Sequence, residues 1–125
     1  MNKVIYTKNA PEAIGPYSQA YLCGNILYTS GQIAINPENN EFIGGNIEHQ
    51  TKRVIENLAA VLREAGFGFE HVVKTTCFLK NMSDFTAFNQ IYGEYFTSKP
   101  ARSCVAAQEL PKGALVEIEL VAIKN

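Results

Sequence analysis

The sequence is poor in the patterns that hold metals, phosphates and disulfides. It has two histidines, His49 and His71, with no His-x-x-x-His motif, so a helical metal site has no donor pair. Cys23, Cys77 and Cys104 are odd in number, widely spaced and without a Cys-x-x-Cys pair. That excludes a disulfide framework and a structural zinc site, and it points to a reducing compartment. Gly44-Gly45 lacks the Lys-Ser/Thr of a phosphate loop. Neither charge sign is in excess, with 11 Lys and Arg against 12 Asp and Glu and a pI near 6.1. Nucleic acid and anionic membranes therefore lose their electrostatic argument. No apolar run approaches a membrane-spanning length, and Met1-Asn2-Lys3-Val4 is not the start of a signal peptide. No internal repeat, low-complexity segment or linker divides the chain. These absences predict a cytoplasmic protein with residues 1–125 forming a single domain.

What is present alternates between strand and helix signals. Val4 to Thr7 predicts a short strand, and Asn9 to Pro16 a loop punctuated by two prolines and a glycine. Tyr17 to Cys23 and Ile26 to Ile35 read as strands joined by the turn pair Gly24-Asn25. Ser30-Gly31 interrupts the second of these, and a glycine there marks a bulge or a close backbone approach. Asn36 to Asn46 reads as loop, with Asn46 able to cap the next helix. Ile47, Thr51, Val54, Ile55, Leu58, Val61, Leu62 and Ala65 recur at helical spacing, and Gly66 and Gly68 end that helix. Val72 to Lys80 predicts a strand, and Ser83 a cap. Phe85, Phe88, Tyr92 and Tyr95 then form an aromatic stripe on a second helix, read as core. The order strand-strand-strand-helix-strand-helix-strand-strand predicts an α+β sheet with two helices on one face. No residues remain to cover the other face, whose Tyr, Ile, Leu and Val content favours a homo-oligomer.

The end of the chain holds the candidate chemistry. Ala101 to Leu110 and Val116 to Ala122 read as two strands joined by a turn at Pro111-Lys112-Gly113. Arg102 offers a rigid fork that fits a carboxylate in two parallel hydrogen bonds. Glu117 and Glu119 alternate with Val116, Ile118 and Leu120, so both carboxylates share a sheet face, where one can orient or deprotonate a water. Backbone N–H groups near Gly31 and Cys104 add donors. Cys104 itself reads as a small buried hydrophobe rather than a nucleophile, and both histidines as surface residues. In a regular hairpin centred near Lys112, Arg102 would stand roughly 16 Å from Glu117 at about 3.3 Å per residue. That is too far for one small acid, so either the hairpin is strongly bulged or Arg102 meets Glu117 of another copy.

The same residues carry a resemblance. Pro100-Ala101-Arg102-Ser103, Val105, Leu110 and Val116-Glu117-Ile118 resemble the signature of the Rid family, the RidA-like reactive intermediate deaminases. So do Ile14-Gly15-Pro16-Tyr17-Ser18-Gln19-Ala20, Tyr28-Thr29-Ser30-Gly31-Gln32-Ile33 and Val73-Lys74-Thr75-Thr76. The resemblance implies a chorismate-mutase-like α+β domain with a mixed sheet, and a homotrimer with its sites between subunits. It implies hydrolysis of 2-imino acids such as 2-iminobutanoate and 2-iminopropanoate, or their enamines, to 2-keto acids and ammonia. These are reactive intermediates released by pyridoxal-phosphate enzymes, and no cofactor is needed. By position, Arg102 would bind the substrate carboxylate and Glu117 would orient the attacking water. Tyr17, Ser30, Gly31, Asn89 and Cys104 would complete the pocket, Cys104 through its backbone N–H. Ala34 stands where many relatives have proline. The alternative reading is a non-catalytic binder of small carboxylates such as 2-keto acids.

Overall fold

A computed structural model of the protein describes residues 2–125. Eight strands and two α-helices are present: β1 Asn2–Ile5, β2 Ala20–Cys23, β3 Ile26–Thr29, β4 Ile35–Asn36, β5 Glu41–Phe42, α1 Ile47–Glu64, β6 Val72–Leu79, α2 Phe85–Tyr95, β7 Ala101–Ala106 and β8 Val116–Ile123. Six strands form one mixed sheet in the order β1-β2-β3-β8-β6-β7, and β4 and β5 pair separately. All neighbours in the main sheet run antiparallel except β6 and β7.

Helix α1 follows directly from its sequence. The Asn46 side chain accepts a hydrogen bond from the His49 N–H, relieving one of the unpaired donors of the first turn. Gly66, at φ 82°, takes the left-handed conformation that follows a helix end and favours glycine. Val54, Ile55, Leu58, Val61 and Leu62 are buried on one face, as are Val116, Ile118, Leu120 and Ala122 of β8. Each fully buried aliphatic side chain contributes about 1.5–3 kcal/mol of hydrophobic stabilisation. Both helices pack on this one side of the sheet. On the other face, Val4, Tyr21 and Tyr28 lie side by side in register across β1, β2 and β3, each 43% exposed or more.

The expected terminal hairpin does not form. β7 pairs with β6, in parallel, and β6 separates it from β8. The cause is α2. A strand, a helix packed on the sheet and a second strand make a crossover unit, which sets β7 parallel beside β6. Pro111–Gly113 is a tight turn, with Lys112 at φ 56°, in the link from β7 to β8 rather than the tip of a hairpin. The segment read as loop over Asn36 to Asn46 contains all but Ile35 of a small hairpin, Ile35–Asn36 against Glu41–Phe42. The expected strand from Ile26 to Ile35 stops at Thr29 and touches the sheet again only where Gln32 bridges Ile118. Ser83 makes no cap: a short helical turn at Met82–Asp84 leads into α2, whose N-cap position is Asp84.

Candidate active site

β7 places Arg102 on the helix side of the sheet. The Arg102 Nη1 donates to Asn89 Oδ1 at 2.7 Å. Its guanidinium carbon lies 4.8 Å from the Tyr92 ring centroid, 5.4 Å from Phe85 and 5.9 Å from Phe88. Phe85, Phe88, Asn89 and Tyr92 follow one another at helical spacing, so one face of α2 presents all four to β7. The aromatic stripe read as core is core in Phe88 and Tyr92, yet the same rings cradle a cation. Among the described residues the other guanidinium donors have no partner, and Arg102 lines a groove with Gly93, Thr97, Lys99 and Pro100.

Cys104 shares this face two residues along, half-buried, and is the register partner of Cys77 on β6. Burial pushes the Cys104 thiol up from its ordinary value, against the opposing pull of the Arg102 charge. Burial also pushes the Cys77 thiol up to about 12, with a smaller opposing effect from its hydrogen bond to Thr75. Both thiols stay protonated at neutral pH, which leaves little thiolate for a nucleophile.

Glu117 belongs to the other face. It sits between Val116 and Ile118, whose buried side chains point under the helices, so its carboxylate points away from them. Gly31 lies against it, and a Cβ at Gly31 would come within 2.5 Å of Glu117 Oε2. This close approach is what a glycine in a strand pattern foretells. The Glu117 carboxylate makes no hydrogen bond or ion pair among the described residues. Burial raises its pKa above the ordinary 4.5, and the neighbouring Glu119 charge adds to that. A cavity of about 310 Å³ opens beside it, walled by Tyr17, Gly31, Ile33, Pro111 and Lys112 among others.

The expected site residues therefore fall into two groups. Arg102, Asn89 and Cys104 cluster between β7 and α2. Tyr17, Gly31 and Glu117 surround the cavity at the start of β8. Phe78 is the register partner of both Glu117 and Val105, which puts Arg102 two strands across and three residues along from Glu117. That is a backbone separation of about 14 Å, with the two side chains on opposite faces. The distance inferred from a hairpin was based on the wrong pairing; the observed register gives a separation that is again too long for one small acid. Ser30 joins neither group through its hydroxyl, which donates to the Ser18 carbonyl at 2.5 Å and holds the backbone beside Tyr17. His49 is exposed, and His71 Nδ1 accepts from the Gly68 N–H at 2.9 Å, a local structural bond.

Gln19 escaped the sequence reading. It is 2% exposed, accepts from the Thr7 N–H at 2.8 Å and donates to the carbonyls of Thr7, Ala10 and Pro11. It ties down the segment that supplies Pro11, Glu12, Ile14 and Tyr17 to the cavity wall. A glutamine amid β-formers is the only trace of this in the sequence. Among the described residues, no group of three or more His, Cys, Asp or Glu side chains is placed to hold a metal ion, and no helix is long and apolar enough to cross a membrane.

A small mixed α+β domain, with an arginine fork on the helix side of its sheet and a desolvated carboxylate on the bare side, defines the class. The family model described as Endoribonuclease L-PSP matches residues 7–124. A RutC family protein of Synechocystis is 54% identical over 124 residues, 97% of this chain and 95% of that protein. The structure of YyfA from Yersinia pestis, of the Rid protein family, is 50% identical with a TM-score of 0.96, covering 99% of this chain and 100% of the other. The structure of E. coli TdcF with bound serine is 36% identical with a TM-score of 0.94, over 98% of this chain and 99% of that one. The chain belongs to the Rid family.

Proposed function

We propose that the protein hydrolyses 2-imino acids and their enamine tautomers to 2-keto acids and ammonia, in sites completed between copies of a homotrimer. The observation that carries this reading is the division of labour across the sheet. Among the described residues, Arg102 keeps free donors on one face, and Glu117 stands half-buried and unpartnered on the other. A small 2-imino acid needs both, one for its carboxylate and one for the attacking water, and one chain cannot bring them together. Two copies can, with the Arg102 face of one against the Glu117 face of the next. The exposed Val4, Tyr21 and Tyr28 row supports an assembly, because apolar surface of this kind gains by being covered.

The chemistry asks little of the protein. The protonated imine R–C(=NH2⁺)–COO⁻ is already electrophilic. Glu117 takes a proton from water as the new C–O bond forms and returns it to nitrogen; as the C–N bond then breaks, Glu117 takes the hydroxyl proton of the carbinolamine and passes it to the departing ammonia. The products are R–CO–COO⁻ and ammonium, so atoms and charge balance. A base near neutral pKa does this best, and the raised pKa of Glu117 is a shift in that direction. Binding the carboxylate and the water in one geometry supplies most of the remaining acceleration. The bound serine of TdcF is a small amino acid carboxylate, the ligand chemistry that an Arg102 fork would take.

The test generates 2-iminobutanoate in place with threonine dehydratase and traps surviving imine with semicarbazide. Wild type should speed keto-acid release and reduce trapped imine. Arg102→Ala should abolish the effect, and Glu117→Gln should lower kcat by about 100-fold or more while retaining 2-oxobutanoate binding. Binding of the keto acid without any effect on the imine would favour a small-carboxylate sensor. Cleavage of single-stranded RNA that is lost in Arg102→Ala would replace the reading with the activity named in the family description.

A further inference from the structure

We infer that Tyr92 is a positioning residue that aims the Arg102 guanidinium, and that this accounts for its place on α2. The inference rests on the proposed carboxylate-binding role of Arg102. Tyr92 offers the closest of three rings around that guanidinium, 4.8 Å from centroid to carbon. The ring cannot swing away. Its hydroxyl shares a 2.7 Å hydrogen bond with Thr75 Oγ1, and Thr75 is fully buried. Thr75 is also the register partner of Arg102 across β6 and β7. The tyrosine is thus anchored to the strand position beside the arginine it supports. Phe96 stacks against the ring at 4.4 Å, with Phe88 tilted against it at 5.5 Å.

Arg102 therefore has two restraints of different kind. Asn89 fixes one end through Nη1. Tyr92 fixes the plane through the attraction between a cation and a ring face, which grows as water is excluded. A guanidinium carries five N–H donors in a rigid fork. With one edge and the plane set, the remaining donors are presented in one orientation. A carboxylate arriving there meets a fork that has already lost its rotational freedom, so less is lost on binding. The interaction acts on ground state and transition state alike, because the carboxylate is spectator to the chemistry. Its loss should appear in KM and in binding, with kcat unchanged.

The experiment compares Tyr92→Leu, Tyr92→Phe and Arg102→Ala. It measures imine turnover, 2-oxobutanoate affinity by titration, and melting temperature. Tyr92→Leu should raise KM and the keto-acid Kd together by about tenfold, with kcat within about twofold. Tyr92→Phe loses the Thr75 bond but keeps the ring, which Phe88 and Phe96 still hold, so it should melt earlier yet raise KM far less than Tyr92→Leu. A merely structural role would give the reverse, with KM following melting temperature across both variants. If Tyr92→Leu does not fold, the wild-type Arg102 Nε–H signal decides by nuclear magnetic resonance. A ring-shifted, slowly rotating guanidinium is expected, and a freely rotating one at its random-coil position would overturn the inference. Unchanged KM and Kd in folded Tyr92→Leu would also overturn it, while leaving the deaminase reading intact if Arg102→Ala is inactive. A wild type that binds 2-oxobutanoate without hydrolysing imine would overturn the deaminase reading alone. A wild type that does neither overturns both.

Discussion

Glu117 is half-buried, and no protein group compensates its charge among the described residues, so its ionised form is held at a cost to the fold. Its pKa is raised by desolvation first and by Glu119 second. A carboxylate of this kind stabilises the folded state, relative to the unfolded, below its unfolded pKa. That contribution is lost as pH rises through the higher folded value. In an Arg102→Ala background, which removes the guanidinium that the proposed assembly brings from the next copy, Glu117→Gln should therefore raise the melting temperature at pH 7, and the gain should vanish as pH falls below the ordinary carboxylate range. Thermal unfolding of both proteins from pH 3 to pH 8 checks the sign. The activity profile should carry the same signature, with an acid limb centred above 4.5. Arg102 and Glu117 were legible in the sequence because a guanidinium and strand-face carboxylates are recognisable by type. Tyr17 and Asn89 were reachable only through resemblance. The bonds of Gln19 and Tyr92 were not legible, since their partners lie 8 to 17 residues away and no local pattern names them.

Among the elements, α1 was the most readable, because a long apolar stripe, a cap and a terminal glycine all agree. β7 was the least. Two strand patterns around Pro111-Lys112-Gly113 make a persuasive local hairpin, but pairing is decided by the α2 crossover, a non-local event. The break at Ser30-Gly31 was readable and carries its own prediction. A methyl at Gly31 would meet the Glu117 side chain, at 2.5 Å from Oε2, 2.9 Å from Cδ and 3.0 Å from Cγ. The side chain can turn about its first torsion, so Gly31→Ala should fold with a modest loss in melting temperature. On the proposed mechanism the displaced carboxylate should no longer orient the attacking water, and kcat should fall by about 100-fold, as small misplacements of reacting groups do. Parallel melting and turnover measurements separate the two effects; a large loss of stability would show that the backbone, not the carboxylate, had yielded.

At the scale of the molecule, the uncovered sheet face was anticipated by counting elements, because six main-sheet strands and two helices leave nothing to cover it. The number of copies in the proposed assembly is not written in any single chain's pattern. The proposed division of the site between copies has a sharp outcome. Arg102→Ala and Glu117→Gln chains, each inactive alone, should regain activity when unfolded together and refolded. In a closed ring with random mixing, about a quarter of the sites would receive an intact residue from each side. Recovered turnover in the mixture, compared with each variant refolded alone, is the measurement. No recovery from co-assembled chains would place both residues' work within one copy.

β7 lies at the end of the sheet with β6 on one side only, so one row of its backbone groups has no strand to pair with. Such amides trade their protons with solvent freely unless something lies over them. The strand that carries Arg102 is thus its own reporter. The exchange rates of its outward N–H groups record whether that edge is covered, without a label, a ligand or an assay of turnover.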